Sequence, residues 1–227
     1  MKTNKIWSLL AIAIATITLP SCLDDDDNME VIVPNAVVTL KTSPSDGKFF
    51  IQLDDSTTLN PVNMQRSPYG EKEVRAFINF NEVNENSRMT SRDVHVNWVD
   101  SIRTKGMSTN MGIDNDRIYG ADPLELVNDW TTVVEDGYLT IRFRTHFAYG
   151  APSHYLYLTP NNNPENPYEV TLHHDAKGDV HGEIRDGVIA FRLDMLPDTN
   201  GETVDLIVNW NSYLGYKSAK FKYRTRN

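Results

Sequence analysis

The chain has 227 residues, of which 22 are Lys or Arg and 31 are Asp or Glu, for a net charge of −9. That balance excludes a nucleic-acid binder, which needs a basic stripe against phosphates, whereas 40% apolar and 10% aromatic residues exclude wholesale disorder. A single cysteine excludes internal disulfides, four-cysteine zinc sites and iron–sulfur clusters, and nothing in the sequence calls for a cofactor.

The N-terminus comes first in chain order. Lys2 and Lys5 are the only charges before Asp24, and residues 6–19 form an uncharged apolar stretch. A positive end, a 14-residue apolar stretch and the junction Leu19-Pro20-Ser21-Cys22 predict a secretory signal peptide over residues 1–21. The stretch is too short to span a bilayer, which takes roughly 17–25 residues. The junction resembles a bacterial lipobox, with Leu at −3, a small residue at −1 and Cys22 at +1. That resemblance implies an acyl anchor on Cys22 and cleavage before it. Asp24, Asp25, Asp26 and Asp27 follow at once. Four adjacent carboxylates repel one another and stay solvated, so residues 22–35 are expected to be a lipidated acidic tether. The run also resembles the acidic export signal of surface lipoproteins, and a plain hydrophilic linker is the alternative.

From residue 31 onward apolar residues recur with a period of two. Ala36, Val38 and Leu40 alternate with Val37, Thr39 and Lys41. Similar alternation runs through Phe49-Ile51-Leu53, Val74-Ala76-Ile78-Phe80 and Val94-Val96-Trp98. Turn-forming residues separate these runs, as in Ser43-Pro44-Ser45-Asp46-Gly47 and Ser67-Pro68-Tyr69-Gly70. With a short fifth strand near residues 124–127, residues 36–128 are predicted to form a small OB-like barrel, with residues 103–122 as a long loop. Residues 129–227 repeat the alternation around Leu139-Ile141-Phe143, Tyr155-Leu156-Tyr157-Leu158, Val170-Leu172-His174, Ile189-Phe191-Leu193, Val204-Leu206-Val208-Trp210 and Phe221-Tyr223. Six or seven short strands in about 100 residues predict a β-sandwich. The fold class is therefore all-β, an OB-like barrel followed by a β-sandwich.

Several segments carry a family resemblance. The lipobox with its acid run, Phe50-Ile51-Gln52-Leu53-Asp54-Asp55, the stretch from Trp130 through Gly137-Tyr138-Leu139, Asn166-Pro167-Tyr168-Glu169-Val170 and the closing stretch from Lys217 to Tyr223 resemble the NigD-like lipoproteins of the Bacteroidetes. The resemblance covers nearly the whole chain. It implies an OB-like domain before a β-sandwich, and an association with bacteriocin immunity. It supplies no catalytic residues.

Chemistry-bearing clusters are few. His173, His174, Asp175, Asp179 and His181 have metal-ligand residue types, but adjacent strand residues point to opposite faces, so His173 and His174 cannot ligate together. A hairpin turning at residues 176–179 would bring His181 back beside one of them; exposed polar residues are the alternative, and no metal is expected. Asp114-Asn115-Asp116 begins like a calcium loop, yet Tyr119 stands where glycine is needed, so a solvated turn is expected. Arg142, Arg144, Arg192, Lys220, Lys222 and Arg224 lie on the outward phase of their strands. If those strands are neighbours they form a basic face for an acidic ligand; otherwise they are charges that protect strand edges. Asp55-Ser56-Thr57 and Asp100-Ser101-Ile102 resemble a three-residue O-glycosylation pattern, which makes Ser56 and Ser101 candidate acceptors, with Ser56 and Thr57 accessible in a turn.

No nucleophile elbow, zincin motif or phosphate loop occurs, so no catalytic residues are expected. The expected protein is a non-catalytic binding or accessory lipoprotein of the outer membrane, on the extracellular face, held to the membrane by its lipid. Its ligand would be a glycan or a protein. The alternatives are a protective lipoprotein of the bacteriocin-immunity type, and a lipoprotein facing the periplasm with a protein partner there.

Overall fold

A computed structural model describes residues 33–83 and 90–226. Cys22 and Asp24 to Asp27, with the expected signal peptide and most of the tether, lie outside the described residues. Among the described residues fourteen strands follow in chain order: β1 (Ala36–Thr42), β2 (Phe49–Gln52), β3 (Thr58–Pro61), β4 (Val74–Glu82), β5 (Ser91–Ser101), β6 (Thr104–Lys105), β7 (Glu125–Leu126), β8 (Val133–Glu135), β9 (Tyr138–Phe147), β10 (Tyr155–Pro160), β11 (Glu169–Asp175), β12 (Glu183–Arg192), β13 (Val204–Ser212) and β14 (Gly215–Tyr223). A single-turn helix, α1 (Asn115–Tyr119), follows a 3-10 turn between β6 and β7. Among the described residues no helix is long and apolar enough to cross a membrane.

The first five strands close into a barrel in the order β1-β2-β3-β5-β4. Its core is the inward phase read from the sequence: Val38, Leu40, Ile51, Ala76, Ile78, Val94 and Val96, joined by Leu59. Leu59 belongs to β3, which supplies the fifth strand in place of residues 124–127. A four-residue segment with one buried apolar side chain and a terminal proline is too short to show alternation. Residues 125–126 instead form β7, paired with β9.

The other strands build two sheets, β10-β11-β13-β14 and β6-β12-β9-β7, with β8 paired to β9. Leu139, Ile141, Phe143, Leu158, Leu172, Phe191, Leu206 and Val208 fill the space between them. β8 turns into β9 through Asp136 and Gly137, whose φ values of 51° and 73° are those of a tight hairpin that glycine favours. The expected boundary near Asp129 moves back to about Arg103, because β6 and β7 already pair with β12 and β9.

The barrel packs on the outer face of the second sheet. Val37, Ile102 and Ala190 are buried together there, with Phe77, Val133 and Val188 against them. A polar joint surrounds this contact. Arg75, fully buried, donates from Nε to Thr140 Oγ1 at 3.1 Å and from Nη1 to Thr39 Oγ1 at 3.1 Å. Its Nη2 lies 3.7 Å from Glu135 Oε2. Lys41 pairs with Asp136 at 2.6 Å, and the Tyr138 hydroxyl donates to Glu73. Burial pushes Glu135 up to about 7, with Arg75 opposing that shift.

Candidate functional site

Register brings the site together. In β10 and β11, Leu156 stands opposite His174. His154, two residues before Leu156, therefore falls on the same inward side, diagonal to His174. His154 Nδ1 and His174 Nε2 are 2.9 Å apart. On its other side His154 Nε2 lies 3.1 Å from Asp179 Oδ2, and its ring stacks on Phe147 at 4.5 Å between centroids. Asp179 is placed by the tight turn after β11, where Lys177 and Gly178 both have positive φ. Its two carboxylate oxygens accept the Ala148 N–H at 3.1 and 2.9 Å.

The Ala148 N–H, with His154, holds the Asp179 carboxyl below its ordinary range, so it is ionised and accepts. His154 Nε2 donates to it, and His154 Nδ1 and His174 Nε2 share the hydrogen bond between the two rings. His174 Nδ1 is buried without a hydrogen-bond partner among the described residues. Burial first, and His154 second, hold His174 below the ordinary imidazole value. The three side chains form a line of hydrogen bonds instead of converging on a point, and the described residues contain no group of three that could hold a metal ion.

Beside this line lies a cavity of about 350 Å³. Phe143, Phe147, Leu156 and Ile189 give it apolar walls, and Arg103 and Lys105 stand at one edge. Lys105 Nζ donates to Leu156 O at 2.6 Å and sits 3.9 Å from the Tyr157 ring centre. Burial first, then Arg103, lowers its pKa. The exposed Arg103 has no side-chain hydrogen bond or ion pair among the described residues.

The residues singled out from sequence fare unevenly. Of the five in the His/Asp cluster, the structure joins only His174 and Asp179, and it does so through His154. His173 faces the other way, 3.1 Å from Thr159 Oγ1; Asp175 pairs with Lys177 at 2.5 Å; His181 is exposed. The turn at 176–179 is not a hairpin turn, since β11 and β12 belong to different sheets. Asp114, Asn115 and Asp116 lie on the 3-10 turn and α1, and Asp114 pairs with Arg117 at 3.1 Å.

The single basic face does not form. β9 and β12 lie in one sheet and β14 in the other, which sends their outer faces in opposite directions. Arg142 and Arg144 both clasp Asp186, whose pKa they lower to about 2. Lys220 and Lys222 hold Asp205 at 3.2 and 2.7 Å. Arg192 lies over the Tyr138 ring in the polar joint, and Arg224 lines a small cleft with Lys41 and Asp136. Ser56 is exposed, in a turn where its Oγ donates to Asp54 Oδ1 at 3.0 Å. Thr57, expected to be accessible, is only 5% exposed. Ser101 is exposed at the end of β5.

Comparison with known proteins follows the same two-part division. The NigD-like N-terminal OB domain family matches residues 37–102, and the NigD-like C-terminal beta sandwich domain family matches residues 107–223. A crystal structure from Parabacteroides distasonis, described as a candidate toxin-related protein, is 34% identical with a TM-score of 0.66, covering 84% of this chain and 92% of that one. A NigD-like immunity protein from Bacteroides caccae shares the fold at 18% identity and a TM-score of 0.58, covering 83% of this chain and 96% of that one. A candidate lipoprotein from Bacteroides fragilis shares it at 10% identity and a TM-score of 0.51, covering 84% and 99%. No curated protein matches the chain significantly.

Proposed function

We propose, because the chain belongs to the NigD-like family, that it is a lipid-anchored, non-catalytic binding module of the outer membrane whose ligand seat is the cavity at the open side of its sandwich. Cys22 carries the anchor, and Asp24 to Asp27 direct the protein to the outer face. The observation that carries the binding role is the cavity itself. Its volume of about 350 Å³ falls within the ~300–1,000 Å³ typical of small-ligand sites. It pairs apolar walls with an unpaired guanidinium at the rim, which suits a ligand with an apolar body and an anionic group. The Asp179–His154–His174 line supports binding over catalysis. Among the described residues it ends on a buried nitrogen with no hydroxyl or thiol hydrogen-bonded to it, whereas a nucleophile needs a base within hydrogen-bond reach. A second reading, protection against a bacteriocin, is favoured by the 34% identical toxin-related relative. In that case the ligand is part of the toxin.

Titration calorimetry with an aryl sulfonate, anilinonaphthalene sulfonate, tests the seat. Saturable binding at one site is expected, at least tenfold weaker in Arg103→Glu and in Ala151→Trp, which places an indole in the cavity. Binding that is absent, or indifferent to both substitutions, refutes it.

A further inference from the structure

β12 is longer than its cover. All ten of its residues, Glu183–Arg192, pair with β9, but on the other side β6 pairs only with Ala190 and Phe191. Ala190 N donates to Arg103 O at 2.9 Å, so the backbone groups of Ala190 point toward β6. Strand alternation turns those of Val188, Asp186 and Ile184 to the same side, where no described strand lies.

The chain leaves that edge for the other sheet. Beyond β6, the segment over residues 105–110 covers the free edge of β10. Lys105 Nζ donates to Leu156 O at 2.6 Å, Ser108 N to Leu158 O at 2.7 Å and Asn110 Nδ2 to Pro160 O at 2.8 Å. One sheet edge is thus sealed and the other left open, and the cavity is the gap between them, with Val188 and Ile189 on one wall and Leu156 on the other.

Open edges are commonly defended by charge. Here the charges near the edge are paired with one another. Arg185 pairs with Glu183 at 2.7 Å, and Asp186 is clasped by Arg142 and Arg144. Arg103, at the end of the gap where β6 begins, has no ion pair or side-chain hydrogen bond among the described residues.

From this we infer that the open edge of β12 takes an extended peptide as an added strand, parallel to β12 and in line with β6. An apolar side chain of the peptide sits in the cavity, and its C-terminal carboxylate meets Arg103. Backbone hydrogen bonds to Ile184, Asp186 and Val188 give affinity, while the cavity selects the side chain, as in other strand-addition sites. The inference rests on the cavity being the ligand seat and names the ligand's class.

The test is an array of octapeptides alternating Thr with a varied apolar residue, each made as a C-terminal acid and as an amide, probed with the protein as purified from cells. Acids with a fitting apolar residue are expected to bind, and the matching amides at least tenfold more weakly. N-methylation of alternate amides should abolish binding in one phase and spare it in the other. Ile184→Pro, which removes an edge N–H facing away from β9, should weaken the peptide tenfold and leave the aryl sulfonate unaffected. The inference is overturned by equal binding of acids and amides, by equal effects of the two methylation phases, or by aryl sulfonate binding with no peptide bound. That last outcome leaves the cavity as a small-molecule seat; loss of both ligands rejects the seat itself.

Discussion

Glu135 should make the stability of the protein fall as pH rises from 5 to 8. In the folded chain its carboxyl is pushed up to about 7 from an ordinary 4.5, chiefly by burial at the barrel–sandwich joint, with Asp54 and Asp55 adding and Arg75 opposing. Below about pH 4.5 the group is protonated in both folded and unfolded states and contributes no penalty. Between 4.5 and 7 the unfolded chain ionises first, and stability is lost until the folded-state group ionises too. The full difference corresponds to about 3 kcal/mol. Because the side chain is 30% exposed, solvent screening reduces the working figure to about 1–2 kcal/mol. Glu135→Gln removes the titration. Its absolute effect mixes relief of this penalty with the loss of a countercharge for Arg75, so the informative quantity is the difference between wild type and variant as a function of pH. Urea unfolding followed by tryptophan fluorescence at pH 5, 6, 7 and 8 should show the wild type losing about 1–2 kcal/mol relative to Glu135→Gln across that range. A flat difference, or one that grows in favour of the wild type, refutes the placement of Glu135 in a desolvated joint.

Leu158→Ala, at a fully buried position between the two sheets, should cost about 2–5 kcal/mol in the same urea assay. At Gly187 an added Cβ would stand 2.5 Å from the Phe143 ring. Gly187→Ala should therefore cost about 1–3 kcal/mol and also weaken aryl sulfonate binding, since Phe143 walls the cavity. Cys22→Ala should abolish acyl labelling and release the protein from membranes. Replacing Asp24 to Asp27 with Asn should keep it lipidated but protect it from protease added to intact cells.

The fold was legible because both units bury one face of each long strand, and a buried face imposes period-two patterning. β1, β4, β9 and β13 show it plainly. Short pairings escaped the same reading. β3 has one buried apolar residue, β6 and β7 have two residues each, and their positions depend on partners far along the chain. The misplaced boundary near Asp129 follows directly from the missed β6 and β7. The candidate site was half legible. His174 and Asp179 stood out by residue type, but His154 lies in the loop before β10 and joins them only through the β10–β11 register. The basic residues on β9 and β14 shared an outward phase, yet phase does not say which sheet a strand joins, so one expected face became two. The cavity arises from chain routing, where residues 105–110 leave one sheet edge for the other, and no local pattern records that.

A crystal of the protein soaked with anilinonaphthalene sulfonate tests the binding role most directly. The naphthalene should lie between Phe147, Leu156 and Ile189, with the sulfonate toward Arg103. Ordered probe elsewhere on the molecule, with the gap between β12 and β10 unfilled at saturating concentration, would contradict it.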